Sequence, residues 1–268
     1  MIASLLGALA LIGNAQTIPD PPVSRWILRD DPARCQLERQ NIEPSAILAI
    51  ETVPGIDSYN VAIASEKIKG STPLSPAALT FAPSRQKLDG LARATKLPNG
   101  MPVIQMQGVA LDFLTGLEHA ETVTITTKTG IEGAAQVAGA AKAVEALRKC
   151  TADQLIDWGA DAGQFAPGGK PPVALKDRDD WLSNKELMDI ARQSGQSDVD
   201  ALFRVTITVD GIVDGCRAAT DNVRSGIETV ACGAVVGKTL FTAAKDAGDH
   251  PVRGVATFRV GLSRQPSL

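Results

Sequence analysis

Residues 203–218 read FRVTITVDGIVDGCRA, and their period decides the fold class. Phe203, Val205, Ile207 and Val209 alternate with Arg204, Thr206 and Thr208, the two-residue repeat of a strand with one buried face. Asp210-Gly211 is a strong hairpin signal, because a type I′ turn needs positive φ at both central positions. IVDGCRA then returns as a second strand. Downstream, SGIETVACGAVVGKTLF changes to helical period, with Ile227, Val230, Ala231, Ala234 and Val235 on one stripe and Ser225 or Asp221 available as a cap. Upstream, NKELMDIARQ is a second helix, and PVRGVATFRVGL at 251–262 is a last strand. The order helix, strand, turn, strand, helix, strand predicts a small antiparallel sheet plus helix over residues 181–268.

Residues 23–158 read as a mixed α+β domain, so the whole chain is expected to be α+β. AILAIETV and YNVAIAS are strands joined by the turn-rich PGIDS, and LTFAPS, MPVIQMQG and TVTITTK are further strands. VALDFLTGLEHA (109–120) is expected to be a helix. A second is expected from about Glu132 to Cys150, with Val137, Ala141, Val144 and Leu147 on one face and Glu145 and Lys149 paired four apart. Between the two domains lies GADAGQFAPGGKPPVALKDRDD (159–180). Its Gly168-Gly169 and Pro171-Pro172 interrupt regular structure, so it reads as a linker, with a long ordered loop packing through Trp158 and Phe165 as the alternative.

The start of the chain bears on compartment. Ile2 to Gly13 is an apolar run of 12 residues, short of the roughly 20 that span a bilayer, and Gly13-Asn14-Ala15 supplies the small residues of a cleavage site. Residues 1–15 therefore read as a signal peptide, with a retained anchor as the alternative because the run carries no Lys or Arg before it. Export suits the four cysteines. Four thiols allow three pairings; the expected pairs join cysteines within one domain, Cys35 with Cys150 and Cys216 on the second strand with Cys232 on the helix above it. With no C-x-x-C pair and only His119 and His250, a metal site is not expected, and no cofactor is.

The C-terminal pattern resembles a known family. A hairpin with Asp-Gly at its turn (VDGIVDGC), a cysteine in its second strand, a Ser-Gly segment leading into a cysteine-bearing helix (VRSGIETVAC), then LFTAAKDAGDHPV and a last strand (RGVATFRV) resemble the TonB C-terminal domain, in the cysteine-containing version of sphingomonad-type proteobacteria, over residues 185–262. The likeness implies a periplasmic protein-binding module linked to transport through outer-membrane receptors. It implies as partner a receptor peptide or other periplasmic protein, held by strand addition. The chain departs from the family's energy transducers where DDWLSNKEL stands in place of a Tyr-Pro motif, and where a folded domain replaces a Pro- and Lys-rich spacer.

Function is narrowed by what the residues exclude and what they offer. A net charge of −3, a pI near 5.5 and 4% aromatic residues argue against nucleic acid. No nucleophile elbow, zinc-protease or phosphate-loop motif is present, and the Asp177–Asp180 run reads as a solvated linker end. The candidate binding element is the last strand, through Val252, Arg253, Val255, Thr257, Phe258 and Val260, offered as an edge to a partner. The alternatives are a structural or inhibitory protein in which that strand merely completes a sheet, and a hydrolase using two carboxylates distant in sequence.

Overall fold

A computed structural model describes residues 25–31, 34–41, 45–195, 198–220 and 223–262. The expected signal peptide and the cap candidate Asp221 lie outside them. Among the described residues no helix is long and apolar enough to cross a membrane. The fold is α+β, dominated by one large antiparallel sheet.

That sheet contains β1 (Trp26–Asp31), β2 (Arg34–Asn41), β3 (Ala46–Thr52), β4 (Ser58–Ala64), β5 (Thr72–Ala82), β6 (Lys87–Lys96), β7 (Pro102–Ala110), β8 (Thr122–Thr127) and β9 (Glu132–Gln136). Their spatial order is β1-β2-β3-β4-β7-β6-β5-β8-β9. Alternation fixes which face is buried: in β3 Leu48 and Ile50 are fully buried while Ile47 and Ala49 are only partly covered. The sheet curls until β9 lies close to β3, β4 and β7. Gly133 allows that approach, since a Cβ there would stand 3.1 Å from Ile68 Cδ1. Short α1 (Phe113–Glu118) and long α2 (Ala141–Asp157) fill the concave side with Phe113, Leu117, Val144 and Leu147. The expected Cys35–Cys150 disulfide ties α2 to β2, with Cα atoms 6.2 Å apart.

Both helices differ from expectation at their starts. Residues 109–110 finish β7, so α1 begins only at Phe113. Residues 132–136, expected to open α2, are a strand because the edge of β8 supplies main-chain partners and Gly133 and Ala135 point inward. Tertiary pairing overrides alanine's helix preference here. Val137 is buried, but before the helix, and Ala141 is exposed. Lys149 pairs with Asp153 at 2.7 Å, running the helix beyond Cys150.

The smaller sheet holds β12 (Val213–Ala218), β11 (Val199–Ile207) and β16 (Gly254–Leu262) in that order, all antiparallel. Two helices cover one face. In α3 (Asn184–Gln193), Ser183 and Glu186 form a capping box. In α4 (Ser225–Val235), Ser225 is the first helical residue rather than the cap, and Arg224 holds the cap position without a side-chain bond. Ile227, Ala231, Ala234 and Val235 bury as the stripe predicts. Phe203 stacks on Phe258 at 5.1 Å, Trp181 meets Phe241 and Phe258, and Cys216 is bonded to Cys232 across the layer.

The hairpin turn is not the expected two-residue type. Gly211 N–H donates to Thr208 O and Thr208 N–H to Ile212 O, with Gly211 at φ +78 and no positive φ at Asp210. This is a three-residue connection with glycine in the left-handed position. Val209 consequently leaves the buried face and is 50% exposed.

Residues 159–180 are built into the molecule rather than hanging between its parts. Their β10 (Val173–Ala174) pairs with β13 (Phe241–Thr242), Lys170 bridges Lys245 in β14 (Ala244–Lys245), and β14 pairs with β15 (Pro251–Val252). Asp177 caps the turn Arg178–Asp180 by accepting from Asp179 N–H.

Candidate functional site: the cleft between the two sheets

Odd-numbered β11 residues and Ala256, Phe258 and Val260 of β16 face the helices. The even-numbered partners, with Val255, Thr257 and Arg259, face the large sheet. That second face is where the two sheets meet. Arg204 lies over the Trp158 ring at 5.3 Å, and Val255 packs with Leu155 and Ala160 at the end of α2. Arg178, mostly buried, reaches Asp57 at 2.8 Å.

The closest contact is made by the β3–β4 turn. Pro54 and Gly55 occupy its centre, Ile56 N–H bonds back to Val53 O, and Gly55 has φ +82, the residue pattern of a type II turn. Thr257, fully buried, donates its amide to Gly55 O at 3.1 Å and its hydroxyl to Pro54 O at 3.0 Å. A Cβ on Gly55 would come within 2.8 Å of Ala256 Cα, so only glycine fits this seat.

These contacts bear directly on the residues expected to form a binding edge. Val252 belongs to β15, and Arg253 O already accepts from Asp161 N–H, while its guanidinium pairs with Asp214 at 2.8 Å. The outward amide of Thr257 is taken by Gly55. Val255, Phe258 and Val260 bury their side chains internally. Outward-facing main-chain groups recur every second residue, so the next after Thr257 belong to Arg259 and Gly261. Neither has a further backbone partner among the described residues. Both lie within the last strand expected as the binding element, though neither is among the residues singled out there; the signal that picks them out is the parity set by Thr257.

Arg259 borders a cleft of about 430 Å³ lined also by Leu202, Val53, Ile56, Ser58, Asn60 and Thr220, and Gly261 follows two residues further along the same strand, paired with the cleft residue Asp200. Arg259 grips Asp200 with two bonds of 2.5 Å, and Arg34 reaches Glu51 at 3.4 Å. The Arg259 hydrogen bond holds the Asp200 carboxyl below its usual range. In return Asp200 first, and Glu51 by charge, raises the Arg259 guanidinium further. Burial pushes Asp214 up, but bonds from Thr206 and Arg253 outweigh it and leave it lowered.

The remaining acids and histidines do not converge on the cleft. Asp177 is a turn cap, Asp30 lies on β1, and His250 sits 79% exposed, 3.2 Å from Asp246. His119 caps α1, and Ser194 bonds Ala191 O. Every carboxylate with a resolved shift is held toward its ionised form, chiefly by the hydrogen bonds it accepts. Among the described residues no three His, Cys, Asp or Glu side chains are grouped to hold a metal ion. The chain matches no family model, no curated protein and no solved structure.

Proposed function

We propose that this is an exported, non-enzymatic binding protein. It takes a polypeptide partner at the cleft, by strand addition to the open end of β16, in the service of transport through an outer-membrane receptor. One observation carries the reading: β16 is an edge strand whose outer side the chain itself closes at Thr257, leaving the main-chain groups of Arg259, at a cleft, and of Gly261 beyond it without a further strand. Unpaired main-chain groups beside a hydrophobic floor are what an added strand needs. The sequence resemblance of residues 185–262 to the TonB C-terminal domain, carried by VDGIVDGC, VRSGIETVAC and RGVATFRV, supports the same reading. Binding is favoured over catalysis because the charged groups lining the cleft are arginine–carboxylate pairs.

The test is in-cell photocrosslinking. A benzoylphenylalanine at Gly261 is expected to capture an outer-membrane receptor, whereas the same residue at exposed Lys142 captures none. Equal capture from both positions, or none from Gly261, removes the proposal.

A further inference from the structure

The outer face of the large sheet carries a trough that opens into the cleft. Its origin is a single cross-strand row. Glu38 faces Ala49, Ala49 faces Ala62, Ala62 faces Gln105, and Gln105 faces Arg93, across β2, β3, β4, β7 and β6. Four strand spacings of about 4.8 Å separate the ends by about 19 Å. Two alanines in the middle and long side chains at both ends make a depression of about 380 Å³, whose floor continues along the strands through Ile47 and Val103. At the opposite end Glu51, Asn60 and Gln107 line both trough and cleft, so the two are continuous.

The rims differ in charge. Glu38 is paired with Arg29 at 3.1 Å, and Glu51 with Arg34. Arg93 donates from Nε to Gln105 Oε1 at 2.9 Å, a neutral partner, and meets no carboxylate among the described residues. The β6 rim therefore presents a cation. An apolar floor bordered by amide side chains suits a polypeptide, whose own N–H and C=O groups need partners when water is displaced. An acyl chain would gain nothing from the Gln105, Asn60 and Gln107 amides.

We infer that the trough binds an extended polypeptide segment, with small or branched apolar side chains over Ala49 and Ala62 and an acidic residue facing Arg93. This rests on the polypeptide-binding reading of the cleft and names its ligand more closely. From Ile47 to Val53 is about 20 Å at about 3.3 Å per residue, so trough and cleft together hold about seven extended residues, a length an eight-residue peptide spans.

The test uses the full chain and arrayed eight-residue peptides of alternating Val and Ser carrying Glu, Gln or Lys at one position. The parent is expected to prefer Glu over Lys peptides about tenfold, Arg93→Glu to reverse that order, and Ala62→Trp to weaken all binding about tenfold. Circular dichroism and melting temperature should stay at parent values for these half-covered or exposed sites. Failure of the parent to bind any peptide, a preference that ignores Arg93→Glu, or unchanged binding by Ala62→Trp overturns the inference. So does a dansylated fatty acid that binds the parent and is lost with Ala62→Trp. Binding abolished by Gly261→Pro but indifferent to Ala62→Trp defeats the trough alone; binding indifferent to both defeats the cleft as well.

Discussion

Replacing Gly55 by alanine tests whether the two sheets are held together at the Pro54–Gly55 turn. Alanine at φ +82 costs about 1–2 kcal/mol in backbone conformation alone. Its Cβ would also stand 2.8 Å from Ala256 Cα and 2.9 Å from Thr257 N, main-chain atoms that cannot rotate aside. The turn must lift, weakening the bonds from the Thr257 amide and hydroxyl, each worth about 0.5–1.5 kcal/mol net. The expected loss is about 2–5 kcal/mol. Gly100→Ala is the matched control, at φ +86 with nothing within 4 Å of the new Cβ, and should cost only the conformational part. Urea denaturation with the disulfides intact measures both, and amide exchange at Thr257 should accelerate in Gly55→Ala only. Equal destabilisation by the two substitutions would show that the turn is not seated on β16 in solution.

Two further expectations concern the staples and the acid response. The Cys35–Cys150 bond closes 115 residues and Cys216–Cys232 closes 16. Loop entropy values these at about 4.8 and about 3.1 kcal/mol, so the double alanine variant of the first pair should melt lower than that of the second; the reverse order in calorimetry would contradict the loop argument. Asp249 is lowered to about 2, by bonds from Lys245 and then Lys170. Its stabilising effect is complete above the unfolded value of about 3.9 and disappears as pH falls through about 2. Asp249→Asn should therefore melt below the parent above about pH 4 and converge with it near pH 2, and parallel melting curves across that range would refute the pairing.

Much of the architecture was legible where local signals agreed. The β3–β4 hairpin follows from two alternating runs around PGIDS, α3 from its Ser183–Glu186 box, and the two disulfides from the division into two parts. The larger errors share a physical source, main-chain pairing that a segment's own composition does not announce. Glu132–Gln136 reads helical because Gly and Ala do not alternate visibly, yet the open edge of β8 claims it. The charged β2 and β6 were not anticipated, since their outer faces carry Gln36, Glu38, Lys87, Asp89 and Arg93 while only alternate residues bury. The cleft was illegible for the same reason. Nothing near Thr257 in sequence announces that Gly55 will occupy the strand edge, and Arg259 and Gly261 matter only once that occupancy is known.

The contact between Thr257 and Pro54 spans 203 residues of chain, which gives it a consequence for the order of events during folding. The elements of the large sheet, with α1 and α2, can form and close Cys35–Cys150 without β16. The last strand has no cap of its own and must find a turn formed long before. Until it does, the outer side of β16 is an unprotected edge of the kind that recruits other chains. The interval before β16 docks is thus the one of greatest aggregation risk, and the Pro54–Gly55 turn is what covers that part of its edge.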